Sequence, residues 1–227
     1  GTHNDGINRI AGLKKNYGDE FRGEIIVDAS NNCFVSSVTN STNFPVINGL
    51  SSRGGSSDGV VFKLNPNLTT LLWSTYIGGS GNDAAYGIQQ DASGNTFVAG
   101  GTTSTNLDSA SNTNFGGVDG FLAKFSPTNT FITSRYIGTS SYDQCYFVQI
   151  DVTDSVYTFG QSLGSMPVTT GKYSNTGSHQ FIQKFDNTLS TLSFSTIFGS
   201  AISNINISPS AFLVNDCGLI YMSGWGG

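Results

Sequence analysis

The chain has 227 residues, a formal net charge of −5 and 11% charged side chains, against roughly 25% in an average soluble protein. Ser, Thr, Asn and Gly fill the difference, and aromatics at 12% are ample for a packed core rather than a disordered chain. No Lys/Arg cluster is present, which disfavours nucleic acid as a partner, and no apolar run approaches the ~18–20 residues of a membrane-spanning helix.

In chain order, the opening GTHNDGINRI lacks the pattern of an export signal, so any such signal is expected to be removed or to lie elsewhere. Residues 1–16 read as a linker or the end of a preceding unit, with RIAGLKKNY (9–17) as its last strand. From Tyr17 onward the chain repeats itself. Asp28, Asp91 and Asp151 recur at intervals of 63 and 60 residues, and Lys63, Lys124 and Lys184 at 61 and 60. An aromatic follows each Asp by six positions (Phe34, Phe97, Tyr157), and Asn215 and Tyr221 keep that spacing. Recurrence at about 60 residues marks one supersecondary unit copied along the chain. The expected units are 17–75, 76–135, 136–196 and a truncated 197–227, forming one array over 1–227.

The second unit shows the pattern most clearly. Four short strands are predicted: Ala85–Gln90 (strand a), Thr96–Gly100 (b), Gly120–Phe125 (c) and Phe131–Ile137 (d). Each is rich in aromatic or β-branched residues and bounded by Gly, Asn, Asp or Ser. The links DASGN (Asp91–Asn95) and SPTNT (Ser126–Thr130) carry hairpin-turn chemistry, whereas the b–c links are long, polar and variable. The apolar side chains of DGFLAKF and QFIQKF fall on both faces, as a sheet covered on both sides requires. The fold class is therefore all-β; two-faced burial also suits a sandwich, but repeated units of four antiparallel strands favour a β-propeller segment of four-stranded blades, three full and one partial. The fourth copy stops after strand b at GLIYMSGWGG, so the expectation is a segment of a longer polypeptide. Its open blades would be covered by the remainder of that polypeptide or by a partner protein.

The run YIGGSGNDAAYGIQQDASGNTFVAGGTTS, followed by GGVDGFLAKFSP, resembles the bacterial seven-bladed β-propeller repeat, SBBP. Phe44-Pro45 and Met166-Pro167 also fit that repeat, and the resemblance spans residues 17–224. Two departures stand out: His179 replaces the Asp of Asp58 and Asp119, and ISNINISPS replaces a Gly-x-Asp loop. The resemblance implies a large exported bacterial protein, extracellular or at the cell surface, often adhesion-like. The ending DCGLIYMSGWGG is similar to versions from gliding Bacteroidota that leave by type 9 secretion. It implies no catalytic residues.

Chemistry-bearing residues are sparse. The strings GSSDG and GQSLG place Ser57 and Ser162 in Gly-x-Ser-x-Gly contexts, but neither precedes a helical pattern and the chain has only two His, His3 and His179. Asp58, Asp119 and His179 share one repeat position, Asp83 and Asp143 another. Carboxylate rings can hold Ca²⁺, which takes six to eight oxygens. One carboxylate per unit reads better as a turn cap, so no cofactor or metal is expected. Glu20 and Glu24 have no evident acidic partner for glycosidase chemistry. Cys33, Cys145 and Cys217 are out of repeat register and read as buried or half-buried free thiols. Trp73 reads as core; Trp225 stays open between core packing and stacking on a sugar. The expectation is a non-enzymatic structural or binding module, with a carbohydrate-binding propeller as the alternative and a propeller-based hydrolase or lyase third. Any ligand, polysaccharide or polar protein surface, is expected on the b–c/d–a rim at Asn106, Asp108, Asn112, Asn114 and Asp119.

Overall fold

The computed structural model describes residues 5–50, 54–201, 204–205 and 207–226. His3, part of the first b–c loop and part of ISNINISPS lie outside them. Three four-stranded antiparallel sheets follow one another in strict chain order. The first is β1 (Glu24–Val27), β2 (Cys33–Thr39), β3 (Asp58–Leu64) and β4 (Leu71–Ile77). The second is β5 (Asp83–Gln90), β6 (Thr96–Thr102), β7 (Asp119–Phe125) and β8 (Phe131–Ile137). The third is β9 (Asp143–Ile150), β10 (Val156–Ser162), β11 (Gln180–Phe185) and β12 (Leu192–Phe198). A hairpin of β13 (Ile207–Val214) and β14 (Ile220–Gly226) follows. Strands a, b and c of the second sheet begin or end one or two residues beyond the sequence reading, because Asp83, Gly101, Thr102 and Asp119 pair in the ladder rather than break it.

Turn chemistry sets the register. Asp28, Asp91, Asp151 and Asn215 each open the a–b turn, and each side-chain oxygen accepts backbone N–H groups two and four residues on. Three residues after each, Asn31, Gly94, Asp154 and Gly218 adopt positive φ, which closes a three-residue hairpin. The turn carboxylate then anchors strand c. Lys63 reaches Asp28 at 3.0 Å and Lys184 reaches Asp151 at 2.9 Å. Lys124 is linked to Asp91 through Asn187, whose amide donates to Asp91 at 3.0 Å. Each Lys lies directly opposite the strand-b aromatic and over its ring, 4.6 Å from Phe34, 5.1 Å from Phe97 and 4.8 Å from Tyr157. Lys63 and Lys184 thus clasp their own blades, while Lys124 ties the second blade to the third.

The core lies between sheets. Phe34, Val61 and Trp73 of the first blade pack with Ile88, Val98 and Phe125 of the second. Phe97, Ala99 and Leu122 of the second pack with Val148, Phe181 and Phe185 of the third. Neighbouring residues of one strand therefore bury in opposite directions, Val98 backwards and Phe97 and Ala99 forwards. That is why β6, β7 and β10 are buried along their whole length. The outer elements differ: Ile25 and Val27 on β1 and Tyr221 and Trp225 on β14 are 53–77% exposed.

Two expectations need correction. The stretch 9–17 is not a strand. It carries a 3-10 turn at Ala11–Leu13 and leads into another at Tyr17–Glu20. Asn16 and Asp19 cap the latter, and the segment's polar side chains bond to the inner strands rather than pairing along a sheet edge. Of the three thiols, Cys145 is buried and Cys33 half-buried, but Cys217 is exposed on its turn.

The same repeat position is fully buried at Phe97 and half exposed at Tyr221. Phe97→Ala should therefore destabilise the protein by about 3–5 kcal/mol, whereas Tyr221→Ala should cost under ~1 kcal/mol. Chemical denaturation of the two variants checks this contrast.

Candidate functional site

The inner strand of each later sheet carries a bulge at one repeat position. Tyr86 is left out of register between Ala85 and Gly87, Tyr146 between Cys145 and Phe147, and Ser210 between Pro209 and Ala211. Each lies five residues before its turn Asp or Asn; Gly23 holds that place in the first unit. A bulge turns a side chain out of the pleat. Here all four positions line one cleft of about 390 Å³, with Arg22, Glu24, Phe147 and Trp225.

The N-terminal segment closes part of this cleft. Asn8 donates to the Tyr86 hydroxyl at 3.1 Å, Asn16 donates to Tyr146 at 2.9 Å and also bonds Gln161, and Tyr146 donates to Asp19 at 3.2 Å. Burial first, and then the nearby Asp19 charge, raises Tyr86 well above the usual phenol range. Burial also raises Tyr146, where Tyr142 and Asp19 add to it. Both are neutral donors at any working pH. The Arg22 guanidinium lies 4.4 Å from the Tyr146 ring centroid, donates to the Pro209 carbonyl at 3.0 Å and pairs with Asp19. Glu24 accepts the Ile88 N–H at 2.8 Å. Trp225, 77% exposed, is the aromatic face left open to solvent.

The five rim residues expected from sequence divide. Asn106 and Asp108 line a groove of about 250 Å³ with Leu50, Tyr76 and Gly78–Ser80. The Asn106 side-chain oxygen already accepts the Ser80 N–H and hydroxyl, both at 2.9 Å. Asn112 is committed to the blade: it donates to the Tyr136 carbonyl at 3.1 Å and accepts its N–H at 2.9 Å, as a neighbouring strand would. Asn114 is half-buried and lines none of these grooves. Asp119 is buried and accepts the Phe115 N–H at 2.9 Å. Asn112 is thus bonded into its own blade, so replacing it would cost stability as well as any rim contact.

Asp119 belongs to a recurrent junction. A Cβ at Gly138 would sit under 3.0 Å from both the Asp119 and Asp143 carboxylates; one at Gly78 would meet Asp58 and Asp83 in the same way. The repeated Tyr-Ile-Gly thus ends in glycine because two acids converge on that backbone. Asp83 is satisfied by Gly79, Thr102 and Ser104. Asp119 Oδ1 and Asp143 Oδ1 are buried without a hydrogen bond. Burial pushes Asp119 up to about 6; the Phe115 and Gly116 N–H groups oppose this and the Asp143 charge adds to it.

The two Gly-x-Ser-x-Gly serines are structural in their contacts. Ser57 Oγ donates to the Asp83 carbonyl at 3.1 Å, and Ser162 Oγ bonds the Gly164 backbone. His179 Nδ1 lies 2.7 Å from the backbone carbonyl of Ser162. Trp73 is buried edge-on to Phe125, 5.2 Å between centroids. Among the described residues, no group of three or more His, Cys, Asp or Glu is placed to hold a metal, and no helix is long and apolar enough to cross a membrane.

The bulge positions were missed from sequence. Their identities, Tyr, Tyr and Ser, with Gly23 at the equivalent place of the first unit, do not repeat, and only the constant offset from the turn Asp or Asn could have flagged them.

Asp119 gives a pH prediction. Its folded pKa lies above the ordinary value near 4, so its charge costs stability above pH ~6, and that cost is relieved as pH falls towards 4. Asp119→Asn should raise the melting temperature by a few degrees at pH 7.5, with the gain vanishing near pH 4. Thermal melts across that range check it.

The comparisons agree with this architecture. No curated protein matches the chain. Residues 72–108, from β4 through β5 and β6 into the second b–c loop, match the family model of the SBBP beta-propeller repeat. With four-stranded antiparallel sheets stacked on either side of that stretch, the chain carries an SBBP β-propeller repeat within an array of like blades.

Proposed function

We propose that this propeller is a non-enzymatic binding module of an exported bacterial protein, displayed at the cell surface. Its ligand is a neutral polar one, a polysaccharide or a polar protein surface. The observation that carries this reading is the bulge shared by the three later sheets, which turns Tyr86, Tyr146 and Ser210 into a common cleft instead of continuing the ladder. Bulges commonly re-aim side chains at binding sites. The low charge content and the Ser/Thr/Asn/Gly-rich loops suit neutral hydrogen-bonding partners and support placement outside the cell. The commitment of Ser57 and Ser162 to backbone bonds supports a role without hydrolysis.

The carbohydrate reading is favoured by one feature: the exposed Trp225 beside Ser208 and Ser210 offers a stacking face next to hydroxyl partners. Titration against a panel of neutral and acidic polysaccharides tests the proposal. Binding of a neutral polymer is expected, with Trp225→Ala weakening it at least tenfold and leaving the melting temperature unchanged. The paired change Asn106→Ala and Asp108→Ala reports on the rim groove instead. Binding of no polymer or protein surface, or binding untouched by either change, would overturn the reading.

A further inference from the structure

Lys124 departs from its two repeat equivalents. Lys63 and Lys184 each meet the turn carboxylate of their own blade directly. At Lys124 an asparagine from the next blade stands between amine and carboxylate. Lys124 Nζ donates to the Asn187 side-chain oxygen and, at 2.9 Å, to the Asn187 backbone carbonyl. The Asn187 side-chain nitrogen donates to Asp91 Oδ2 at 3.0 Å. Amine, carboxamide and carboxylate thus form one line of contacts, with the carboxylate on the amide nitrogen. The arrangement is particular to this junction. Asn187 follows Asp186, which opens the c–d turn; the same place holds Pro66 in the first blade and Pro127 in the second. A proline offers no carboxamide. The surroundings also exclude water. Lys124 is 8% exposed and Asp91 7%, and the Phe97 ring centroid lies 5.1 Å from Nζ. A further bond to the Asp154 carbonyl at 3.2 Å fixes the Asn187 amide.

We propose that Lys124 and Asn187 condense into an isopeptide bond, which joins the second blade covalently to the third. The nucleophile is Nζ and the electrophile is Asn187 Cγ, one bond beyond the oxygen that Nζ already touches. As Nζ moves onto Cγ it approaches Asp91, which takes its proton. Burial raises the Asp91 carboxyl, but hydrogen bonds from Asn187 and Asn95 outweigh it and leave the group below the ordinary carboxylate range, ionised and able to accept. The Nζ–Cγ bond forms and the Cγ–Nδ2 bond breaks. Two protons leave Nζ in all, and Asp91 passes them in turn to Nδ2, which departs as ammonium. Charge is conserved, Asp91 ends ionised, and neither oxidant nor reductant takes part. The fold holds the two reacting groups in contact, which removes the entropic part of the barrier. The bond forms once per chain, so a slow reaction suffices.

Intact mass spectrometry of the purified full chain, unfolded before measurement, tests this. The mass should lie about 17 Da, one ammonia, below that of the sequence. Proteolytic digestion should release a branched peptide that joins the Lys124 segment to the Asn187 segment. Lys124→Met and Asn187→Ala should each restore the full mass. Asp91→Asn isolates the carboxylate. Asn215 builds the same turn with a side-chain amide, so the turn survives this change. Formation of the bond should then slow at least about tenfold. Full mass in the unaltered chain, persisting after days of warm incubation, overturns the proposal, and this reading stands even where a variant fails to fold. A mass loss that survives Lys124→Met, or that maps to a succinimide rather than a branched peptide, overturns it as well. Bond formation at an unchanged rate in Asp91→Asn overturns the part given to Asp91.

Discussion

Burial of both faces of the inner sheets by their neighbours is the constraint on which this protein depends. A four-stranded sheet with one covered face can afford polar residues at every second position. A blade cannot, and β7 shows the consequence: Asp119–Phe125 is buried at every residue. Even the charged groups obey. Lys124 is almost fully buried because its ammonium lies over Phe97 and ends on Asn187 of the next blade. Desolvating a cation is costly unless it is paired, and the turn carboxylate, supplied directly or through Asn187, offsets that cost. Packing and ionic clasp are thus two parts of one solution, repeated blade by blade. Repeat arrays of this kind draw their stability from neighbour contacts more than from any single unit.

The same constraint explains where the chain is free to vary. Between the blades, positions are dictated by size and by lack of charge. At the inner edge, the bulge lifts Tyr86, Tyr146 and Ser210 out of the ladder, and Gly23 ahead of β1 holds the equivalent place, so four different settings occur at one repeat position. The N-terminal segment exploits two of these positions, using Asn8, Asn16 and Asp19 to add hydrogen bonds to the buried phenols of Tyr86 and Tyr146. Leu13, fully buried beneath Tyr86 and Tyr146, adds an apolar contact to that seal.

Much of this was legible in the residues. The turn aspartates, the aromatic six positions later and the recurrent lysine recur once per blade, and their spacing revealed the period and the strands. What depends on distant parts of the chain was not legible. The stretch 9–17 has enough apolar character to pass for a strand, but Asn8 and Asn16 find partners 78 and 130 residues away. Asn112 resembles any loop asparagine until Tyr136, 24 residues on, takes both of its amide groups. Gly101 and Asp83 looked like chain breakers because the sequence does not show that Gln144 of the next blade packs on Gly101 or that Ser57 of the preceding blade bonds the Asp83 backbone. The bulge ring stayed hidden because its geometry repeats while its residue types do not.

Residue-resolved hydrogen exchange tests the dependence on neighbours most directly. Strands covered on both sides, β5 to β7 and β9 to β11, should be the slowest to exchange and should open together. β1 and β14, each with a face uncovered, should exchange orders of magnitude faster. Uniform protection across all four sheets, or a β13–β14 hairpin as slow as the second blade, would contradict the account.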